Sequence, residues 1–465
     1  MALVCGRGLL PMYNRLNGQN TSDYLRDIRR VMALPPHAIQ RHQQQRLRKI
    51  VASALQTPWY GRTLREAGIR SSEDVSLENL DHLPLIDKQD LRAHGEAFRN
   101  PLVRDDGVVH TATGGTTDSP LRLMVDKQSY LRRWGATTYF DQATGIRPGE
   151  KSVRLWGAPQ DFPARPTTLQ KIKSALINRT LLLPSSPLDD SLLEAHVNSI
   201  RKYRPRHMTS YPTPLGILAE YMLRKGVSVP FKTVSCCAEP LMSQNRAVIE
   251  QAFGVKVFDW YGAREAGRIA TECHRHNGMH VNAYGLIVEV LPVSGHELGE
   301  IVLTDLYNVA MPMIRYRIGD LARLSHAPCP CRCPTPRLFD IAGRTVDCFI
   351  NAKGQLISGI AFTNRFIRDN QLVEKLQIIQ RGYSDFEMLA VPGPKFNEST
   401  LGEFRARLDE FMMQPNEVTM RVVEHIPPAR SGKTVFCRRL FNPDANTTRG
   451  GLTASAVAPS AEVEP

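Results

Sequence analysis

A layered α/β body with a β-subdomain, followed by a small α+β domain, is the fold class this chain predicts, on three observations. From Lys151 to Trp260 short apolar runs alternate with helical patterns, as strands covered by crossover helices do. Leu286–Leu291 and Glu300–Thr304 then resemble the two strands of a hairpin. Beyond Gly343 the pattern changes to two strands, a helix and a strand.

In chain order, Ile39, Leu47, Ile50, Val51 and Leu55 recur at helical spacing within residues 37–56. Leu85–Leu91 reads as a turn into a further helix, with Asp87 as its cap. Lys151–Trp156 and His207–Tyr211 read as strands, and Ser191–Arg201 and Leu215–Lys225 as helices. Strands Lys232–Cys236 and Val255–Trp260 flank the helix Ser243–Phe253. The C-terminal unit comprises strands Leu376–Gln380 and Phe386–Val391, helix Glu398–Met412 and strand Thr419–Glu424. Ala445–Pro465 has no apolar periodicity and reads as a disordered tail. The expected division is 1–342 for the large domain, 343–443 for the small one and 444–465 for the tail.

Composition narrows the function. With 42% hydrophobic and 23% charged residues, the chain matches an ordinary soluble globular protein. No apolar run approaches the roughly 18 residues of a spanning helix, and the first ten residues are too short an apolar stretch for a secretory signal. The expected compartment is the cytoplasm, with no membrane partner. Nine cysteines in 465 residues do not make a disulfide framework, and Cys5, Cys236, Cys237, Cys348 and Cys437 read as small buried thiols. The net charge of +13 raises the question of nucleic acid. Arg41–Lys49 reads as a solvated basic helix face, and neither an aromatic-plus-basic module nor a zinc-finger spacing is present. Nucleic acid is not expected as a partner; attraction for polyanionic small molecules, or plain solubility, accounts for the charge.

Five short motifs carry the chemistry. Thr113, Gly114, Gly115, Thr116 and Thr117 begin a Gly/Thr/Ser loop ending at Pro120. Consecutive small residues let backbone N–H groups approach phosphate oxygens, with threonine hydroxyls as added donors. No Gly-Lys-Ser/Thr follows, so this is not the Walker pattern, and a structural Gly-rich turn is the plain alternative. Ala238, Glu239 and Pro240 close a predicted strand. Tyr261, Gly262 and Glu265 end another, where a carboxylate suits Mg²⁺ and the tyrosine ring suits a base; an ordinary surface glutamate reads equally well. Asp320 closes Tyr316–Asp320, where a carboxylate can accept from both ribose hydroxyls, or simply end a strand before a turn. Lys433 follows Pro427–Gly432 on a punctuated loop, placed to neutralise charge on an α-phosphate or to sit on the surface.

In this order the motifs resemble the adenylate-forming superfamily, and within it the branch of phenylacetate–CoA ligase and the CapK-like proteins. The resemblance runs from about residue 37 to 441. It implies a small mobile C-terminal domain. His110 with Thr113–Pro120 matches the branch's phosphate loop, and Cys237–Pro240 its adenine-contacting strand end. Glu265 falls on the magnesium glutamate, Asp320 and Arg344 on the ribose contacts, and Lys433 on the adenylation lysine. Gly354–Phe366 and Leu372–Gln380 look more like CapK-like members. Three departures bear on efficiency: Asp118 within the phosphate loop, Arg264 before the metal glutamate, and Val346 in place of the hinge acid, leaving Asp347 alone.

Cys273 and His280, with Cys329 and Cys331, have the residue types of a tetrahedral Cys₃His zinc site. Cys333 is an alternative thiol, and His274 or His276 an alternative imidazole. Four protein ligands leave no open position, so such a Zn²⁺ is structural.

The resemblance implies an ATP- and Mg²⁺-dependent ligase that adenylates a small carboxylic acid and passes the acyl group to CoA. The acid pocket is expected between Tyr139–Gly157, Tyr211–Leu215 and Cys236–Tyr261. An amide ligase, with an amine of a sugar, amino acid or carrier as acceptor, is the second reading. A lapsed nucleotide-binding homologue, motivated by Asp118 and Val346, is the third. A homodimer is left open.

Overall fold

Helices α1 (Thr21–Met32), α2 (Pro36–Ala54) and α3 (Pro58–Glu66) come first in the computed structural model. It describes residues 21–112, 121–156, 179–185, 188–293, 298–344, 348–353, 356–358, 372–427 and 437–440. The loop Thr113–Pro120, the segment 345–347, Lys433, Cys5 and the tail lie outside the described residues. Proline opens both α2 and α3, where the missing N–H has no helical partner to lose. The stripe expected on α2 is inward: Ile39, Leu47, Ile50 and Val51 are buried, and Leu55 packs beside them. Helix α4 (Lys88–His94) opens on a capping box, Asp87 accepting from Gln89 and Asp90 while Asp90 accepts from the Asp87 N–H.

Strands β1 (Val108–Ala112) and β2 (Arg122–Asp126) pair antiparallel and lead into helix α5 (Lys127–Ala143). Then come β3 (Ser152–Trp156), β4 (Thr180–Pro184), α6 (Asp190–Tyr203) and β5 (His207–Ser210). Helix α7 (Pro212–Arg224), β6 (Thr233–Cys237), α8 (Ser243–Phe253) and β7 (Val257–Ala263) complete the alternation. These strands, β3 to β7, pair in parallel. Apolar faces of the three helices (Leu193, Val197, Leu215, Leu218, Ile249, Phe253) pack with Val153, Leu155, Met208, Val234 and Val257 in one core. Every residue of β6 is buried, as a strand covered on both faces requires.

The sheet then continues antiparallel through β8 (Gly267–Glu272), β9 (Met279–Val281), β10 (Leu286–Leu291), β11 (Gly299–Asp305), β12 (Tyr316–Ser325) and β13 (Arg337–Arg344). Strand order is β10-β11-β12-β13-β9-β8-β7-β6-β5-β3-β4, one 11-stranded sheet. The hairpin expected at Leu286–Thr304 is present as β10 and β11, and its sheet is continuous with the parallel body. Asp320, read from sequence as ending a strand, lies inside β12, which runs on to Ser325 past a register shift. Buried Leu321 and Ala322 carry the strand onward by packing into the core.

Strands β14 (Cys348–Ile350), β15 (Leu356–Ser358), β16 (Val373–Gln380) and β17 (Asp385–Pro392), helix α9 (Ser399–Met412), and strands β18 (Glu417–Val422) and β19 (Cys437–Arg439) follow. The four-stranded sheet runs β18-β17-β16-β19. Phe404, Leu408 and Met412, four residues apart on α9, bury one face with Phe349, Ile378, Phe386 and Met388. Fully buried Gln380 donates to the Ile350 carbonyl and accepts from its N–H, stitching β14 to β16.

Candidate active site and metal-ligand cluster

Two parallel strand ends meet at the edge where open α/β sheets bind ligands. Cys237 of β6 lies opposite Trp260 of β7, so the residues that follow, Ala238 and Tyr261, emerge side by side. Ala238 has φ +69°, a left-handed conformation costing a Cβ-bearing residue on the order of 1–2 kcal/mol. Such strain persists where the surroundings fix it, and here Glu239 does so. Its buried carboxylate accepts from the Thr213 N–H at 3.1 Å, in the first turn of α7. Along the same edge, Trp156 at the end of β3 and Tyr211 after β5 bring their rings to 4.6 Å, tilted by 44°.

Two of the predicted residues meet directly, and two more lie on the neighbouring strands and turn. The Tyr261 hydroxyl donates to the Asp320 carboxylate. Asp320 is the register partner of Arg344 across β12 and β13. Glu265 sits in the turn between β7 and β8, its Oε1 3.5 Å from the Tyr316 hydroxyl. Gly262, inside β7 just before this turn, is opposite Arg268, and a Cβ there would meet the Gly267 carbonyl oxygen at 2.7 Å, so only glycine fits. Arg133 of α5, which sequence reasoning did not single out, donates to the carbonyls of Arg264 (3.3 Å) and Glu265 (2.5 Å). The phosphate loop Thr113–Thr117 and Lys433 lie outside the described residues.

A second group is drawn together on the antiparallel side. Cys273, His280, Cys329 and Cys331 place their ligand atoms all within 4.8 Å of one another. Cys273 and Cys329 Sγ lie 3.9 Å apart, close to the edge of about 3.8 Å expected between thiolates on one tetrahedral zinc. Cys331 Sγ is 3.2 Å from His280 Nε2, while His280 Nδ1 faces the Thr335 hydroxyl at 3.3 Å, which orients the ring. The alternatives weighed in sequence separate out. His276 Nδ1 pairs with Glu272 at 3.1 Å, His274 is exposed, and Cys333 Sγ lies 3.5 Å from Thr335. Burial holds His280 down to about 4, keeping the imidazole neutral, and pushes the Cys331 thiol up to about 12. A divalent cation supplies the countercharge that several adjacent thiolates need, so the donor set fits zinc. The described cysteines are free thiols, and Cys236, Cys237 and Cys437 are buried as expected.

Comparison with known proteins agrees with these features. The family described as the CapK C-terminal domain matches residues 349–439. Phenylacetate-coenzyme A ligase of Thermus thermophilus is 28% identical over 330 residues, covering 68% of this chain and 73% of that protein. Protein CapK of Staphylococcus aureus is 23% identical over 324 residues, 67% of this chain and 69% of that protein. Among solved structures, 2-hydroxyisobutyryl-CoA ligase in its postadenylation state superposes with a TM-score of 0.67 at 20% identity, over 90% of this chain and 92% of that one. That similarity shows the fold.

Proposed function

We propose that this chain belongs to the adenylate-forming superfamily, in the branch of phenylacetate–CoA ligases and CapK-like proteins, and that its residues divide the work accordingly. It is an AMP-forming acid–thiol ligase that activates a small carboxylic acid with ATP and transfers the acyl group to CoA. The observation that carries the reading is the Tyr261–Asp320 hydrogen bond at the edge where the strained Ala238 also emerges, with Glu265 against Tyr316 of the same strand β12.

In the first half-reaction a carboxylate oxygen of the acid attacks the α-phosphorus. The bond to pyrophosphate breaks, and acyl-adenylate forms. Asp320, aimed by Tyr261, accepts from the ribose hydroxyls, with Arg344 as its cross-strand companion. Ala238, Glu239 and Pro240 border the adenine, and Tyr261 with Gly262 shapes the far wall. Thr113 to Thr117 cradle the phosphates, and Lys433 neutralises charge on the α-phosphate as the oxygen attacks. Glu265 holds Mg²⁺, which when bound offsets the charge of the phosphate oxygens. Trp156 and Tyr211 line the acid pocket. In the second half-reaction the CoA thiol attacks the acyl carbonyl and AMP leaves. The small domain, 343–443, pivots about 345–347 between the two steps and withdraws Lys433.

Cys273, His280, Cys329 and Cys331 hold a structural zinc that ties the β8–β9 turn to the connection between β12 and β13. No helix among the described residues is long and apolar enough to cross a membrane; the cytoplasm is the proposed compartment. The second reading, an amide ligase, is kept because residues 349–439 match the CapK C-terminal domain and not a phenylacetate–CoA ligase family. An amine then takes the place of the CoA thiol.

Pyrophosphate release across aryl, fatty and uronic acids, with CoA or amine acceptors and product mass spectrometry, tests both readings. An acyl-CoA product supports the thiol ligase and an amide the second reading. ATP binding without AMP formation for any acid would leave a lapsed nucleotide-binding homologue.

A further inference from the structure

We propose that Arg133, held by Asp305, is a positioning residue that fixes the Glu265 turn and thereby sets how strongly magnesium promotes ATP binding. The proposal rests on the reading of Glu265 as the magnesium carboxylate.

Arg133 lies on α5, just after β2, and its guanidinium reaches three acceptors. One arm donates to the Arg264 carbonyl at 3.3 Å; the other donates to the Glu265 carbonyl at 2.5 Å and to Asp305 Oδ2 at 2.7 Å. Its methylenes support the turn as well. Gly267 has φ +74°, and a Cβ there would meet Arg133 side-chain carbons at 3.3 Å. The pair is largely shielded, with side-chain exposures of 16% for Arg133 and 8% for Asp305, so it is not an ordinary screened surface ion pair.

Asp305 is itself immobilised. Its Oδ1 accepts from the N–H groups of Tyr307 and Asn308. Asn308 accepts from the Asp126 N–H and donates to the Met124 carbonyl, and Asp126 accepts from Val309 and from Ser129 in the first turn of α5. The chain of bonds therefore runs from the Glu265 turn, through Arg133 and Asp305, to the end of β2. In sequence, β1 and β2 flank the Gly/Thr loop. A second ion pair, Arg268 with Asp141 at 2.9 Å, fastens the other side of the turn to the same helix two turns along. Main-chain anchoring at Glu265 fixes where its side chain starts without engaging the carboxylate, whose Oε1 lies 3.5 Å from the Tyr316 hydroxyl. Partners of this kind typically change metal affinity about 10–100-fold when removed.

The test is calorimetry of ATP binding to the full-length protein, in EDTA and in excess Mg²⁺, for wild type and for Arg133→Gln, Arg133→Lys, Asp305→Asn and Glu265→Gln. Thermal unfolding of each variant reports the fold. The magnesium-dependent gain in ATP affinity is expected to fall about tenfold in Arg133→Gln, with affinity in EDTA unchanged. Arg133→Lys keeps the charge but not the fork, so an intermediate gain is expected. Asp305→Asn should follow Arg133→Gln. A wild-type magnesium gain in both Arg133→Gln and Asp305→Asn, alongside an impaired Glu265→Gln, overturns the proposal alone. Equal loss with and without magnesium in Arg133→Lys and Asp305→Asn overturns it too, as a merely structural role. A wild-type gain in Glu265→Gln overturns the reading of Glu265 and the proposal together.

Discussion

The two halves of the 11-stranded sheet are built differently, and the proposed ribose and magnesium carboxylates, Asp320 and Glu265, both fall in or beside the less regular one. From β3 to β7 the strands pair in parallel without a register shift and are packed by α6, α7 and α8. From β7 onward the ladder shifts register between Tyr261 and Gly262, between Glu300 and Val302, and on either side of Leu321. Such bulges re-aim side chains, and two of them fall at Tyr261 and Asp320, which then meet. The metal-ligand cluster also lies on this side. In the proposed reading the regular half supplies the scaffold and the pocket rim, and the irregular half aims Tyr261 and Asp320 at each other.

Substitutions on either side should separate along that line. Glu265→Gln is expected to slow acyl-adenylate formation by about 10²–10³-fold, through lost stabilisation of the phosphate charge, with little change in unfolding midpoint. Pyrophosphate release at saturating acid checks it; a variant that instead unfolds early would break the comparison. Leu218→Ala, at a fully buried position on α7, should do the reverse. A loss of about 2–5 kcal/mol in denaturant unfolding is expected, with kcat/KM near wild type at low temperature. Cys331→Ser sharpens the contrast, because it lies between two strands of the irregular half and its proposed role is structural. Elemental analysis should show zinc falling from about one per chain toward none, with a lower unfolding temperature and adenylation retained.

The smallest effect concerns the scaffold's acid side. His207, at the start of β5, contacts Glu150 Oε2 at 2.5 Å. Burial lowers the His207 pKa below 6.5, so as pH falls the unfolded chain protonates first and stability declines from about pH 6.5 downward. Glu150 is also lowered: burial raises it, but the His207 bond and the Lys232 and Arg206 charges outweigh that, so a further loss follows below its ordinary 4.5. Denaturant titrations between pH 8 and about 4 check this, and His207→Gln should flatten the upper part of the decline.

The difference between the halves also explains what could be read without a structure. Parallel strands and their helices announce themselves through period and length, and Ser243–Phe253 has the same bounds in both descriptions. Helix α5 carries no such stripe. Its buried positions are Ser129, Gly135, Ala136 and Phe140, while Tyr130 and Trp134 face outward, so apolarity and burial do not coincide. Arg133 was invisible for that reason, although Asp126 three residues before Ser129 is a capping signal. Strands β8 and β9 are short and bury Arg268, Thr271 and His280, polar residues that read as loop. Asp320 read as a strand end because Gly319, at φ +87°, supplies turn chemistry inside a strand. For the metal group, residue types named the ligands, but only strand pairing, with His280 opposite Arg337, separated them from His276 and Cys333.

Acid-dependent exchange of pyrophosphate into ATP, compared between wild type and Lys433→Ala over a panel of carboxylic acids, tests the central claim most directly. Wild type should exchange with at least one acid, and Lys433→Ala should exchange about a hundredfold or more slowly while still binding ATP. Equal exchange rates in the two proteins would contradict the account.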